Sequence, residues 1–148
     1  MSHQAVQTTA AVAIRLAKKN SAPAAIPPAL DPSALGMLTD ALGRNTVLRM
    51  VEIFCGETDA RLARFASGTL DAGDLREEMH ALKGTAATVG APRLSWLAAA
   101  AEAQLERGLG KEMAELADLS AAFDAYVEGL ARLDLIPPSL RRPASQTA

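Results

Sequence analysis

Apolar residues recur along the chain at steps of three and four, the spacing of one face of an α-helix. The first such face runs through Leu35, Leu38 and Leu42. Asp31-Pro32 precedes it, an N-cap residue followed by the residue favoured at the first helical position, and Gly43 follows it. A short helix over Pro32 to about Leu42 is expected. A second helix is expected from about Asn45 to Ala66. Its stripe is Val47, Leu48, Val51, Phe54, Cys55, Leu62 and Phe65, and Ser67-Gly68 closes it. Asp71 is placed to cap a third helix over 72–89, with Leu75, Met79, Leu82 and Ala86 inward and Gly90 as its left-handed end. Pro92 opens a fourth, running to about Arg107, with Leu94, Leu97, Ala98, Ala101 and Leu105 inward. Gly108 and Gly110 make the next turn. A fifth helix over about 111–134 buries Leu116, Leu119, Phe123, Tyr126, Val127, Leu130 and Leu133 and stops at Pro137-Pro138.

No strand pattern and no internal repeat interrupts this series. Four long helices joined by short loops predict an all-α fold: an antiparallel up-down-up-down four-helix bundle with a short additional N-terminal helix. Three segments follow. Residues 1–29 are expected to be an arm and Pro-rich linker, in which Ala5 to Lys19 has the spacing of a short helix broken by Pro23, Pro27 and Pro28. Residues 30–134 form the bundle, and 135–148 a polar, Pro-containing tail.

Composition narrows the functional classes. Of 148 residues, 49% are apolar and 22% charged, enough for one packed core. The net charge of -2 and the scattered Lys and Arg argue against a nucleic-acid surface; Arg141-Arg142 is a lone basic pair. Cys55 is the only cysteine, which rules out an internal disulfide and suits a small buried hydrophobe. No apolar run approaches the ~20 residues of a membrane span, and the N-terminus lacks the pattern of a signal peptide, so no membrane and a cytoplasmic setting are expected. His3 and His80 lie far apart and make no metal site with Cys55. No phosphate loop or nucleophile elbow is present either.

The stretch Met79-His80-Ala81-Leu82-Lys83-Gly84 carries the candidate chemistry. On a helix, His80, Lys83 and Gly84 share a face, extended by Arg76 one turn before and Ala87 one turn after. The core stripe lies about 100° of rotation away, so the imidazole is expected at the surface. A neutral imidazole is a nucleophile that can take a phosphoryl group. Lys83 would sit beside the roughly two negative charges of the product. Gly84 costs a helix about 1 kcal/mol relative to Ala, and clearance for a docking partner would offset that; close helix packing is the other reading.

The run His80-Ala-Leu-Lys83-Gly84-Thr-Ala-Ala-Thr-Val-Gly90-Ala91 resembles the signature of histidine-containing phosphotransfer (HPt) domains, and the likeness spans about residues 30–133. Leu30-Asp31-Pro32, Asp71, Leu94 and Glu102 also fit that family. The resemblance implies phosphorylation of His80 on Nε2, charge neutralisation by Lys83 and partner access at Gly84. It implies that Glu102 orients the ring, although a solvated surface Glu has the same spacing. Arg76, Ala87 and Arg93 would line the docking surface, Arg76 and Arg93 having ordinary surface roles as the alternative.

The expected function is therefore a phosphorelay intermediate of two-component signalling, a phosphocarrier rather than an enzyme. It would accept a phosphoryl group from a receiver domain of a hybrid sensor kinase and pass it to a response regulator. It would need no cofactor of its own, Mg²⁺ coming with the receiver, and would be a monomer. Other readings are a bundle that docks on a receiver or kinase without relaying, the dimerisation and phosphoacceptor portion of a histidine kinase, and a purely structural bundle. The sequence after His80 and the lack of an ATP-binding domain speak against the kinase portion.

Overall fold

The computed structural model describes residues 26–108, 114–137 and 140. The readings made for His3, Ala5 to Lys19, Pro23, Gly110, Pro138 and Arg141-Arg142 lie outside them. Five helices are present and no strand among the described residues: α1 (Pro32–Leu42), α2 (Arg44–Ser67), α3 (Ala72–Thr88), α4 (Pro92–Glu106) and α5 (Ala114–Arg132). Helices α2 to α5 close a ring of contacts, in which α2 touches α3 and α5, and α4 touches α3 and α5. The most extensive contact is between α3 and α4, and α1 packs on α2.

Local chemistry sets the helix ends. Asp31 Oδ1 accepts from the backbone N–H groups of Ser33 and Ala34 at the start of α1, and Asp71 Oδ1 accepts from Asp74 N at 2.8 Å at the start of α3. α3 ends in a left-handed Gly90, φ 74, where Ala91 N reaches back to Ala86 O at 2.9 Å. A Cβ at Gly90 would meet Asp31 O at 3.1 Å and Leu35 Cγ at 3.2 Å, because α1 begins directly over this turn. Asp31 N also donates to Gly90 O.

The expected core residues of α3 and α4 are all buried: Leu75, Met79, Leu82 and Ala86 against Leu94, Leu97, Ala98, Ala101 and Leu105. From the other pair come Val47, Val51, Phe54, Cys55, Phe65, Leu119, Phe123, Tyr126 and Leu130. Phe54 packs edge-on against both Phe123 and Tyr126. The Tyr126 hydroxyl donates to Val89 O at 2.8 Å, joining α5 to the end of α3. The Tyr126 phenol is pushed up by burial first and by the neighbouring Cys55 second.

Three sequence expectations change, and one buried position was not foreseen. Leu42, expected inward, is 48% exposed at the last residue of α1, beside the Gly43 turn. Thr58 is fully buried on the α2 stripe, with no hydrogen-bond partner for its hydroxyl among the described residues. α5 stops at Arg132, before the prolines: Asp134 is left-handed, φ 56, and Leu135 N bonds Leu130 O at 2.9 Å. That turn brings Leu135, expected in the tail, into the core with Pro137 also covered, while Leu133, expected inward, is 38% exposed. At the other end Pro27 and Pro28, read as linker, are held to α4 by Arg93.

Candidate functional site

The α3–α4 contact carries the site. His80 lies on α3 with its side chain 68% exposed, off the buried Met79 and Leu82 stripe. Its ring is held from the neighbouring helix: Nδ1 lies 2.8 Å from Glu102 Oε2. The other oxygen of the same carboxylate, Oε1, lies 2.8 Å from Lys83 Nζ. Glu102 is itself buried, only 8% exposed, and bridges two groups one turn apart on α3. The small residues Ala98 and Ala101 before it let α4 approach α3 closely enough for a carboxylate of this length to reach both.

A buried carboxylate needs partners to stay charged. Burial pulls the Glu102 carboxyl up, but the hydrogen bond from Lys83, that from His80 and the positive charge of both outweigh it and hold it below the usual range. The group is thus an anion at neutral pH. A carboxylate only accepts hydrogen bonds, so the ring proton sits on Nδ1, and in the neutral ring the lone pair is on Nε2. Nδ1 is turned to α4 by this bond, which leaves Nε2 as the ring nitrogen whose lone pair Glu102 does not engage.

Gly84 is exposed and next along this face. A Cβ built there meets nothing within 4 Å, so the glycine does not serve a close approach of another helix among the described residues. Ala87, a turn further, is exposed and lines a shallow groove with Ala34, Pro92, Ser95 and Trp96. Arg76 is 42% exposed and lies 3.8 Å from Glu106, a solvent-facing pair across α3 and α4. Arg93 does something the sequence did not suggest: its Nε donates to Pro27 O at 2.9 Å and its backbone N–H to Pro28 O at 3.1 Å, fastening the segment that leads into α1.

Sequence reasoning missed Ser95. Its hydroxyl donates to the Lys83 carbonyl at 2.8 Å, tying α4 to the turn that carries Lys83 and Gly84. The signal was available, since Ser95 stands seven residues before Glu102 and so shares its face of α4. Among the described residues no group of three or more His, Cys, Asp or Glu is arranged to hold a metal ion. No helix among them is long and apolar enough to cross a membrane.

Residues 49–134 match the family model of the Hpt domain, more than half of the chain. The chain belongs to the Hpt domain family, the phosphocarrier modules that act with receiver domains in two-component signalling. No curated protein and no solved structure matches it.

Proposed function

We propose that this chain is a phosphorelay intermediate in which His80 is the phosphoacceptor. The supporting observation is the Glu102 bridge: one buried carboxylate accepts a hydrogen bond from Nδ1 of an otherwise exposed ring and holds Lys83 beside it. In the forward step the Nε2 lone pair attacks the phosphorus of a receiver aspartyl phosphate in line. A P–N bond forms, the acyl P–O bond breaks and the receiver regains its carboxylate. The phosphohistidine then meets a response-regulator aspartate and the same exchange runs in reverse. Catalysis of this kind is mostly positioning and charge neutralisation. Lys83, already one turn from His80, turns from Glu102 to the phosphoryl oxygens, while Glu102 keeps the ring oriented. Gly84 leaves room for the receiver backbone, and Ala87 and Arg76 border the same face. Mg²⁺ belongs to the receiver.

The same reading takes α2 to α5 as an antiparallel up-down-up-down bundle, which the short connections between α2 and α3 and between α3 and α4 favour. It takes the donor as the receiver domain of a hybrid sensor kinase, the working state as a monomer and the setting as the cytoplasm. The test is incubation of the chain with a phosphorylated receiver domain. Wild type is expected to gain acid-labile phosphate and His80→Gln none. Equal labelling of His80→Gln, or no labelling of wild type while it still binds the receiver, sinks the proposal; the latter would favour a docking module that does not relay.

A further inference from the structure

The turn of α3 that carries Lys83 and Gly84 is unusual in its carbonyls. Thr85 Oγ1 donates towards Ala81 O at 3.1 Å and Leu82 O at 3.3 Å. Thr88 Oγ1 donates to Gly84 O at 3.0 Å. Ser95 Oγ takes the remaining one, Lys83 O, at 2.8 Å. Three side-chain hydroxyls thus face four successive carbonyls, the single proton of Thr85 being shared between two of them. The two threonines brace the helix from within, around a glycine that weakens it. Ser95 alone in this group reaches in from another helix.

Its place on α4 gives that bond a consequence. Ser95 and Glu102 are seven residues apart, two turns on one face, with the small Ala98 and Ala99 between them. The leucines of α3 and α4 supply adhesion, but apolar contacts are non-directional and do little to stop one helix sliding along the other. Two 2.8 Å bonds from one carboxylate, to His80 and to Lys83, tolerate little sliding, because hydrogen bonds weaken beyond about 3.2 Å. A directional bond two turns away from Glu102 supplies the missing constraint. We propose that Ser95 is a positioning residue of the phosphotransfer site: its bond to the Lys83 carbonyl sets the axial register of α4 against α3 and so holds Glu102 on His80 and Lys83.

The kinetic part of this inference rests on His80 being the phosphoacceptor, and the spectroscopic part does not. Ser95→Ala removes only the hydroxyl and suits a helix. Ser95→Thr keeps it, and its added methyl has the groove beside Ala87 and Trp96 to occupy. Both are made in the full chain, and the His80 ring nitrogens are followed by NMR, assigned by the signals lost in His80→Gln. Transfer from a phosphorylated receiver is measured at saturating receiver. Ser95→Ala is expected to show both neutral ring tautomers where wild type holds the proton on Nδ1. Its transfer should be roughly two- to tenfold slower, the weight of one neutral hydrogen bond. Ser95→Thr is expected to match wild type in both. A wild-type ring spectrum in Ser95→Ala overturns the inference, and so does a Ser95→Thr variant as impaired as Ser95→Ala. Loss of the helical circular-dichroism signal in Ser95→Ala also overturns it, since the bond then serves folding. If no variant and not wild type takes up phosphate, the functional proposal fails, and the ring spectra still decide the role of Ser95.

Discussion

At the scale of the residue, Glu102 connects the chemistry of the site to the stability of the fold. Its carboxyl is held below the ordinary glutamate range, against its burial, by Lys83 and His80. A group whose folded pKa is depressed contributes stability above its unfolded pKa and loses that contribution as pH falls through the folded one. The Glu102 contribution is therefore expected to be intact above about 4.5 and to disappear on further acidification. Urea unfolding midpoints measured from neutral pH downward should fall more steeply for wild type than for Glu102→Gln. Equal slopes would mean that the bridge adds nothing to the folded state. Gly84 makes the complementary case. Nothing among the described residues opposes a Cβ there, so Gly84→Ala is expected to raise stability by about 0.5–1 kcal/mol, the helix cost of glycine. The same variant should transfer phosphate more slowly if the glycine clears space for a receiver. A variant more stable and equally fast would separate Gly84 from docking.

At the scale of the element, the α3–α4 turn is the joint on which the site depends, and Gly90 is its least replaceable residue. Gly90→Ala meets two costs together: a left-handed backbone, φ 74, and a Cβ within 3.1 Å of the Asp31 carbonyl. The first alone is worth roughly 1–2 kcal/mol, and the second is against backbone, which gives way poorly. Chemical denaturation of Gly90→Ala is expected to show a loss of about 2 kcal/mol, opposite in sign to Gly84→Ala, although both place alanine for glycine within a few residues of the site. The contrast follows from surroundings rather than from residue type. Much of this turn was legible in the sequence. Gly90 as a left-handed stop and Pro92 as a helix opener act through neighbours in the chain, as does Asp71 as the cap at the far end of α3, and local geometry suffices to read them. The end of α5 was not legible in the same way. Asp134 takes the left-handed position that glycine usually fills, because the turn lets Leu135 bury itself in the core, and that benefit lies outside the local sequence.

At the scale of the whole molecule, the four-helix ring encloses one core into which Cys55 is sealed. Burial first, and the charge of Asp59 second, push its thiol up to about 12. The thiolate is the reactive form, so Cys55 is expected to be inert to disulfide reagents at neutral pH in the folded protein. Labelling should follow the same denaturant dependence as the loss of helical signal, which makes this single cysteine a reporter of global opening. Labelling under native conditions at the rate of a free thiol would show that α2 opens on its own.

Periodicity determined, from sequence alone, which faces of the helices turn inward and hence that His80, out of phase with Met79 and Leu82, stands at the surface. These are properties of one helix at a time, fixed by 3.6 residues per turn. The resemblance already pointed from Glu102 to the His80 ring, but the second bond of that carboxylate, to Lys83, the Ser95 bond to the Lys83 carbonyl, and the fastening of Pro27 and Pro28 by Arg93 were decided only by the tertiary structure. Each joins residues whose separation in the chain says nothing about the axial offset of one helix against the next. That offset is set where the side chains of α3 and α4 interlock, and a single strand of sequence does not carry it.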